Sequence, residues 1–343
     1  MNITHRIRVV PTVAVILFTS ALGSVYAQNQ TPPPANTELA AAVKLLRDHR
    51  SKEAVGAFKK ATGKNKTDGE AWYYLGVAYL QTGDFKKASS AFQSAIKLRS
   101  DLAGPAHAGY AYALLRRSKL KEAREEAQKA LSVEPKNTDA LYTMGIISLR
   151  MDDRDEALKY ADRLLAVDPA MAEAYLMKSQ AYVPFNGEAI VTKPGELKGE
   201  RLVRYQSAAA ALEQYLKLEN DPREKEIWQE QLDSLKFYMA AKSDGASQVY
   251  SSKDVTTKVQ VLSKPEPSYT ERARMEQITG VVVLRCVFSS DGKVKHILVL
   301  QSLPTGLTNA AIAAAKRIKF VPATLNGKPV STFMQVEYNF NLY

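Results

Sequence analysis

Gly280-Val281-Val282-Val283-Leu284-Arg285-Cys286-Val287-Phe288 is the stretch that decides how the C-terminal part of the chain folds. Gly280, Val282, Leu284, Cys286 and Phe288 recur at every second position and so share one face of a strand. Val281, Val283 and Val287 line the other face, interrupted by Arg285, so that face too is predicted to be partly covered by a helix. Asp291-Gly292 suits a two-residue hairpin turn, because glycine accepts positive φ without steric cost. Lys293 to Gln301 reads as the returning strand. Its phase slips between Val294 and Ile297, which predicts a bulge near His296. After Gly306, the residues Leu307, Ala311, Ala314 and Ile318 form one apolar helical stripe. Lys316, Arg317 and Lys319 gather at its C-terminal end, where cations suit the helix dipole, and Pro322 reads as the stop. Asn326-Gly327 is a further turn signal. A strand then runs from Ser331 to Phe340, with Phe333, Val336, Tyr338 and Phe340 as its β-favouring residues.

In order, these pieces are Tyr269-x-x-x-Ala273-Arg274, Gly280-x-Val282-x-Leu284-x-x-x-Phe288-x-x-Asp291-Gly292, a Leu-x-x-Ala-Ala helix before Phe320-x-Pro322-Ala323, and Asn326-Gly327-x-Pro329-Val330. Each alone is weak, but their shared order over Tyr269–Tyr343 resembles the TonB C-terminal domain family. Thr270 departs from it, standing where the family commonly has Pro, and so does Cys286, where a larger apolar residue is usual. The resemblance implies a small α+β domain that recognises short peptide segments of outer-membrane transporters by strand addition. The pairing strand it points to is Ser331, Thr332, Phe333, Met334, Gln335, Val336, Glu337, Tyr338 and Asn339.

The front of the chain is of another kind. His5, Arg6 and Arg8 precede a mostly apolar run, Val9 to Leu22, and Val25-Tyr26-Ala27 offers small residues for cleavage before Gln28. Residues 1–27 therefore read as a cleavable secretory signal, and the chain as periplasmic. The run is shorter than the ~20 residues of a spanning helix and contains Pro11. Left uncleaved, it would anchor the chain in the inner membrane. Removing it takes away Arg6 and Arg8 and no acid, which lowers the formal charge from +11 to +9. That balance favours anionic envelope surfaces such as lipopolysaccharide or peptidoglycan. Nucleic acid is excluded as a partner by the export reading and by the lack of a basic-aromatic motif. A single cysteine leaves no internal disulfide, and Cys286 reads as a buried thiol.

The middle is a repeat array. Trp72-x-x-Leu75-Gly76-x-x-Tyr79 followed by Ala88-x-x-x-Phe92 carries the tetratricopeptide pattern, and Ala54, Ala88, Ala123 and Ala157 recur at gaps of 34, 35 and 34 residues. Gly76 recurs as Gly145, and Pro135 recurs as Pro169. This similarity to tetratricopeptide proteins implies an all-α superhelix over 35–240, and the whole chain reads as multidomain. Its units fall at about 35–68, 69–103, 104–137, 138–171 and 172–221, the last with an insert at 184–200, and a capping helix covers 222–240. Small residues let paired helices approach, Trp72, Tyr79 and Phe92 fill the space between hairpins, and stacking is needed to bury each apolar face. A stiff Pro-rich spacer at 28–34 precedes the array. A flexible link at 241–262 leads from it into the terminal domain at 263–343.

Projecting the repeat phase places Tyr73, Val77 and Leu80, then Ala108, Tyr112 and Leu115, then Tyr142, Ile146 and Leu149, along the first helices of successive pairs, with Arg116 and Arg150 beside them. This stripe either lines a groove for an extended peptide or helix, or packs inside the protein. His49, His107 and His296 lack ligand spacing to one another or to Cys286. No nucleophile motif or phosphate-cradling loop occurs, and pairs such as Glu125-Glu126 and Asp152-Asp153 read as solvated charge. The expectation is a protein without enzymatic activity, cofactor or metal that scaffolds protein or peptide partners at two sites. Two alternatives stand beside it: an anchored TonB-type energy transducer for transmembrane transport, and a peptidoglycan-binding adaptor in envelope assembly. The apolar run holds no His, and the long Pro-rich spacer of such transducers is replaced by the array. An unpaired last strand could also pair with its twin in a homodimer.

Overall fold

The computed structural model describes residues 37–183, 197–240 and 248–342. The expected signal and Pro-rich spacer fall outside them, as do most of the expected insert and the first part of the expected link. Two compact units divide the chain, 1–143 and 144–343. Among the described residues, no helix is long and apolar enough to cross a membrane.

The first unit is built from helix pairs: α1 (Thr37–Arg47) with α2 (Ser51–Lys64), α3 (Gly69–Thr82) with α4 (Phe85–Leu98), and α5 (Ala103–Arg116) with α6 (Leu120–Val133). The turn inside each pair contains one left-handed residue, at His49, Gly83 and Ser118, five positions before the recurring alanine. Asp68 and Asp84 cap α3 and α4 by accepting from the backbone N–H of Ala71 and Lys87. Ala54, Ala88 and Ala123 are fully buried, as their crossing positions require. Phe92 is the pin of this packing. A Cβ added to Gly76 would lie 2.8 Å from its ring, and one added to Gly109 would lie 2.5 Å away. The ring therefore occupies space that α3 and α5 both leave open. Its edge meets Tyr73, with centroids 5.9 Å apart.

Helix α7 (Thr138–Arg150) runs across the division between the units. The second unit continues with α8 (Arg154–Val167), α9 (Ala172–Tyr182), the longer α10 (Gly199–Leu218) and α11 (Pro222–Met239). The terminal elements follow as β1 (Val249–Tyr250), β2 (Gln260–Ser263), α12 (Glu271–Met275), β3 (Gly280–Phe288), β4 (Val294–Gln301), α13 (Leu307–Lys316), β5 (Lys319–Val321), β6 (Ala323–Leu325) and β7 (Lys328–Phe340). The sheet order is β1-β7-β3-β4, with β6 also on β7, while β2 and β5 make a separate ribbon. Among the described strands, β1 alone runs parallel to its neighbour.

Both faces of β3 are buried, as its two interleaved apolar sets predict. Val282, Leu284, Cys286 and Phe288 join Leu307, Ala311, Ala314 and Ile318 of the α13 region, together with Phe320, Val336, Tyr338 and Phe340. Val283 and Val287 join Leu298, Leu300 and Phe333 in a second core with Tyr205, Leu212, Leu232, Leu235 and Tyr238 of α10 and α11. The covering helices are thus the last helices of the array. Arg285 is 2% exposed. Its guanidinium stands 4.8 Å from the ring centroids of both Tyr238 and Phe333. Gln231 of α11 donates to the Ile297 carbonyl and accepts from the Val299 N–H, so a side-chain amide caps the outer edge of β4.

Several local expectations need correction. The β3–β4 turn is a three-residue loop: the Ser289 N–H donates to the Lys293 carbonyl, the Gly292 N–H donates to the Ser289 carbonyl, and Gly292 is left-handed. Asn326-Gly327 is the two-residue turn instead, with φ of 51° and 78° joining Leu325 to Lys328. The helix stops at Lys316 and not at Pro322, because Lys319–Val321 pairs with β2 and turns Phe320 into the core. Within the link, Val249 and Tyr250 form β1 against Ser331 and Thr332, and Gln260–Ser263 forms β2. The bulge falls where the phase slips: Arg285 and Val287 face Leu298 and Lys295, and His296 has a φ of 45°. Its ring lies parallel to Phe237 of α11 at 3.6 Å.

Gly76→Ala and Gly109→Ala should each destabilise the chain by ~1–3 kcal/mol through overpacking against Phe92. Urea unfolding reads this, and a Phe92→Leu background should reduce the cost of either change. Gln231→Met should cost ~1–3 kcal/mol by stranding backbone groups of β4, and hydrogen exchange at the Val299 amide should accelerate. Burial holds the His296 imidazole below its ordinary pKa; Lys295 acts in the same direction and Asp233 opposes. The fold therefore disfavours the proton, so stability is complete above the unfolded value near ~6.5 and declines as pH falls below it. His296→Phe should flatten that decline in melts at about pH 7 and about pH 5.

Candidate peptide-binding surfaces

One side of β7 is taken by β3, in unbroken register from Gly280↔Phe340 to Phe288↔Thr332. On its other side β1 covers only Ser331 and Thr332. Among the described residues, no strand pairs with the outer edge of Phe333–Asn339. Backbone direction along this edge follows from two contacts. Gln231 bonds Ile297 and Val299 on the outer edge of β4, so Leu284, opposite Val299, directs its backbone groups to Val336 of β7. Alternation then turns Phe333, Gln335, Glu337 and Asn339 outward. The Glu337 carbonyl confirms this by accepting from the Lys264 ammonium at 2.7 Å.

The residues Ser331–Asn339 singled out in the sequence differ in what already holds them. Ser331 and Thr332 are already paired with β1, and the Ser331 hydroxyl accepts from the Ser290 N–H. Phe333, on the pairing strand that the family resemblance points to, is 9% exposed and packs in the core with α10 and α11. Met334 is half-buried, and Val336 and Tyr338 belong to the core on the other face. Burial pushes the Tyr338 phenol up to about 12. Glu337 and Asn339 are exposed, and the Gln335 amide donates to the Glu337 carboxylate at 2.6 Å. Thr270 fills its variant position usefully: its hydroxyl accepts from the Ala273 N–H as the cap of α12 and donates to the Thr305 carbonyl.

The stripe projected onto the array's first helices divides into two parts. Tyr73, Val77, Leu80, Ala108, Tyr112 and Leu115 are buried and hold helices together rather than presenting surface. Arg116 is buried as well, 4.6 Å over the Phe85 ring and donating to the Tyr112 hydroxyl. The physical reason is packing of the kind Tyr73 shows, with its ring against Tyr74 and Phe92. Tyr142, Ile146, Leu149 and Arg150 are half-buried and keep accessible area. Close by in sequence, burial beside Glu134 pushes the Asp139 carboxyl up to about 7.

The groups that could carry other chemistry sit apart. His107 Nδ1 lies 2.6 Å from Glu126 Oε2, while His296 is stacked on Phe237. Cys286 is a free thiol buried in the core, where desolvation pushes its pKa up. Among the described residues, no three or more His, Cys, Asp or Glu side chains converge as a metal site would.

Residues 265–342 match the Gram-negative bacterial TonB protein C-terminal family. Residues 39–103 and 78–140 match one tetratricopeptide repeat family, and 114–181 match a second. BBSome complex member BBS4 of Bos taurus is 29% identical over 140 residues, 40% of this chain and 26% of that protein. The CTR9 homolog of Arabidopsis thaliana is 27% identical over 119 residues, 34% of this chain and 11% of its own. The chain thus spans about a quarter or less of the length of these curated relatives. Among solved structures, the type IV pilus biogenesis factor PilW aligns with a TM-score of 0.48 at 18% identity, over 59% of this chain and 87% of PilW. YrrB, a tetratricopeptide protein described as having an unusual peptide-binding site, aligns with a TM-score of 0.40 at 16% identity, over 61% of this chain and 97% of YrrB. Residues 39–181 thus match tetratricopeptide repeat families and residues 265–342 the TonB C-terminal family, both of them families of protein-interaction domains.

Proposed function

We propose that the chain is a non-enzymatic scaffold of the bacterial envelope, exported to the periplasm, whose terminal domain captures an extended peptide by strand addition. The observation that carries this reading is the outer edge of Phe333–Asn339: among the described residues no strand pairs with it, while the inner side of β7 is paired throughout with β3. Its backbone donors and acceptors are a ready template for another chain. The family likeness favours peptide segments of outer-membrane transporters as partners. In the array, Ile146 and Leu149 of the projected stripe are half-buried and keep area that could meet a second protein.

Magnitudes limit what the edge can do by itself. Each strand bond contributes a net ~0.5–1.5 kcal/mol, whereas ordering the peptide costs ~1–2 kcal/mol per residue. Backbone pairing alone is therefore weak, and side chains flanking the edge must supply the rest. With Phe333 used internally, those are Met334, Gln335, Glu337 and Asn339.

Deleting the last strand would test only folding, since β7 holds the sheet together. Proline at an outward position is the cleaner change, because it removes an N–H that points away from β3. Asn339→Pro and Glu337→Pro should retain a native circular dichroism spectrum and lose binding to synthetic peptides copied from periplasm-facing transporter segments. Binding unchanged in both variants would overturn strand addition at this edge. Val336→Pro, which cuts a bond to β3, should unfold the domain and so calibrates the comparison.

A further inference from the structure

We propose that Lys264 guards the free edge of β7, and that the peptide admitted there carries an acidic side chain that draws the ammonium away. The proposal rests on the strand-addition reading above and names the chemistry of its ligand. Lys264 Nζ stands 2.7 Å from the Glu337 carbonyl oxygen and 4.7 Å from the centroid of the Tyr338 ring. That oxygen is the outward acceptor in the middle of the edge. Paired strands lie ~4.8 Å apart, so the ammonium occupies the corridor in which an added strand would run. A bound peptide must displace it.

The guard is anchored at its base and movable at its tip. Ser263, immediately before it, is registered to Lys319 in the β2–β5 ribbon, so the backbone at Lys264 starts from a fixed place. The side chain itself is exposed, and its contacts are one hydrogen bond and one ring face. A displaced ammonium keeps most of its stabilisation only if the incoming chain supplies a carboxylate. Two further cations and two acids lie nearby, so with Lys264 the local formal charges sum to one positive. Lys319 lies across from Ser263, and Arg317 acts electrostatically on Tyr338. The acids nearby are Glu266, which also acts on Tyr338, and Glu337, whose carboxylate accepts from the Gln335 amide. Lysine on an edge also discourages pairing between copies of the same chain, so the same residue would reject a neutral strand and admit an acidic one.

The test uses the full chain, its Lys264→Met variant, which keeps the stem without the charge, and synthetic seven-residue peptides of alternating Thr and Val. One Glu is walked through the positions, with Gln counterparts, and binding is read by fluorescence anisotropy. The native chain should bind the best Glu peptide at least about tenfold more tightly than its Gln counterpart, a preference that added salt weakens. Lys264→Met should lose the preference and gain affinity for the Gln peptide. Equal Glu-to-Gln ratios in the two chains would overturn the guard while leaving strand addition intact. No binding of any peptide to either chain would overturn both. Self-association of Lys264→Met in sedimentation, without a change in peptide preference, would reduce Lys264 to protection against self-pairing and overturn its selective role.

Discussion

A sheet strand with apolar residues on both faces cannot rest on one helix. That constraint at β3 shapes the whole second unit. Cys286 and its neighbours are satisfied locally by α13, but Val283 and Val287 face the other way and need a second cover. The cover comes from α10 and α11, which also fill their own apolar sides in doing so. Each fully buried aliphatic side chain contributes ~1.5–3 kcal/mol, so this shared core is a large part of what holds the unit. Arg285 lies in the middle of it, between two aromatic faces. It places a charge where the pattern of β3 would otherwise ask for another apolar residue.

Much of this was written in the alternation itself. Two interleaved apolar sets on β3 announced two covered faces, and the phase slip before Ile297 announced the bulge at His296. The alanine spacing located the helix pairs because a crossing point tolerates only small side chains. What periodicity does not carry is the identity of the neighbour. The phase that set Val77, Leu80 and Leu115 on one line could not say whether that line was open or closed, and they are buried. Phe333 looked available on a final strand, yet its face is the one that α10 and α11 cover. The short strands β1 and β5 were hidden for a related reason. Each is held by pairing with a distant partner, Ser331–Thr332 or Gln260–Ser263, and carries too few residues to show a period of its own.

The edge of β4 and the stretch of β7 that β1 leaves uncovered are treated in opposite ways. On β4 the amide of Gln231 is buried and satisfies one backbone donor and one acceptor together, while Ser234 and Tyr238 donate to the neighbouring Ile297 and His296 carbonyls. On β7 the capping group is a single exposed ammonium on a flexible stem, bonded to one carbonyl. The first arrangement is costly to open because it would strand polar groups away from water. The second exchanges one solvated contact for another. Both arrangements occur within the same four-strand path.

The shared core also changes what counts as a separable part. Sequence reading divides the chain near residue 241, after the last helix, as though repeats and terminal domain were beads on a string. A protease cut in that link, followed by separation of the pieces, would leave Val283, Val287, Leu298 and Leu300 on one fragment facing water, and Leu232, Leu235 and Tyr238 on the other. Each fragment would then carry a sticky surface that belongs to neither function. Partners caught by isolated fragments would include proteins attracted merely to the wound. The smallest piece that keeps its surfaces honest begins upstream of α10, inside the repeats.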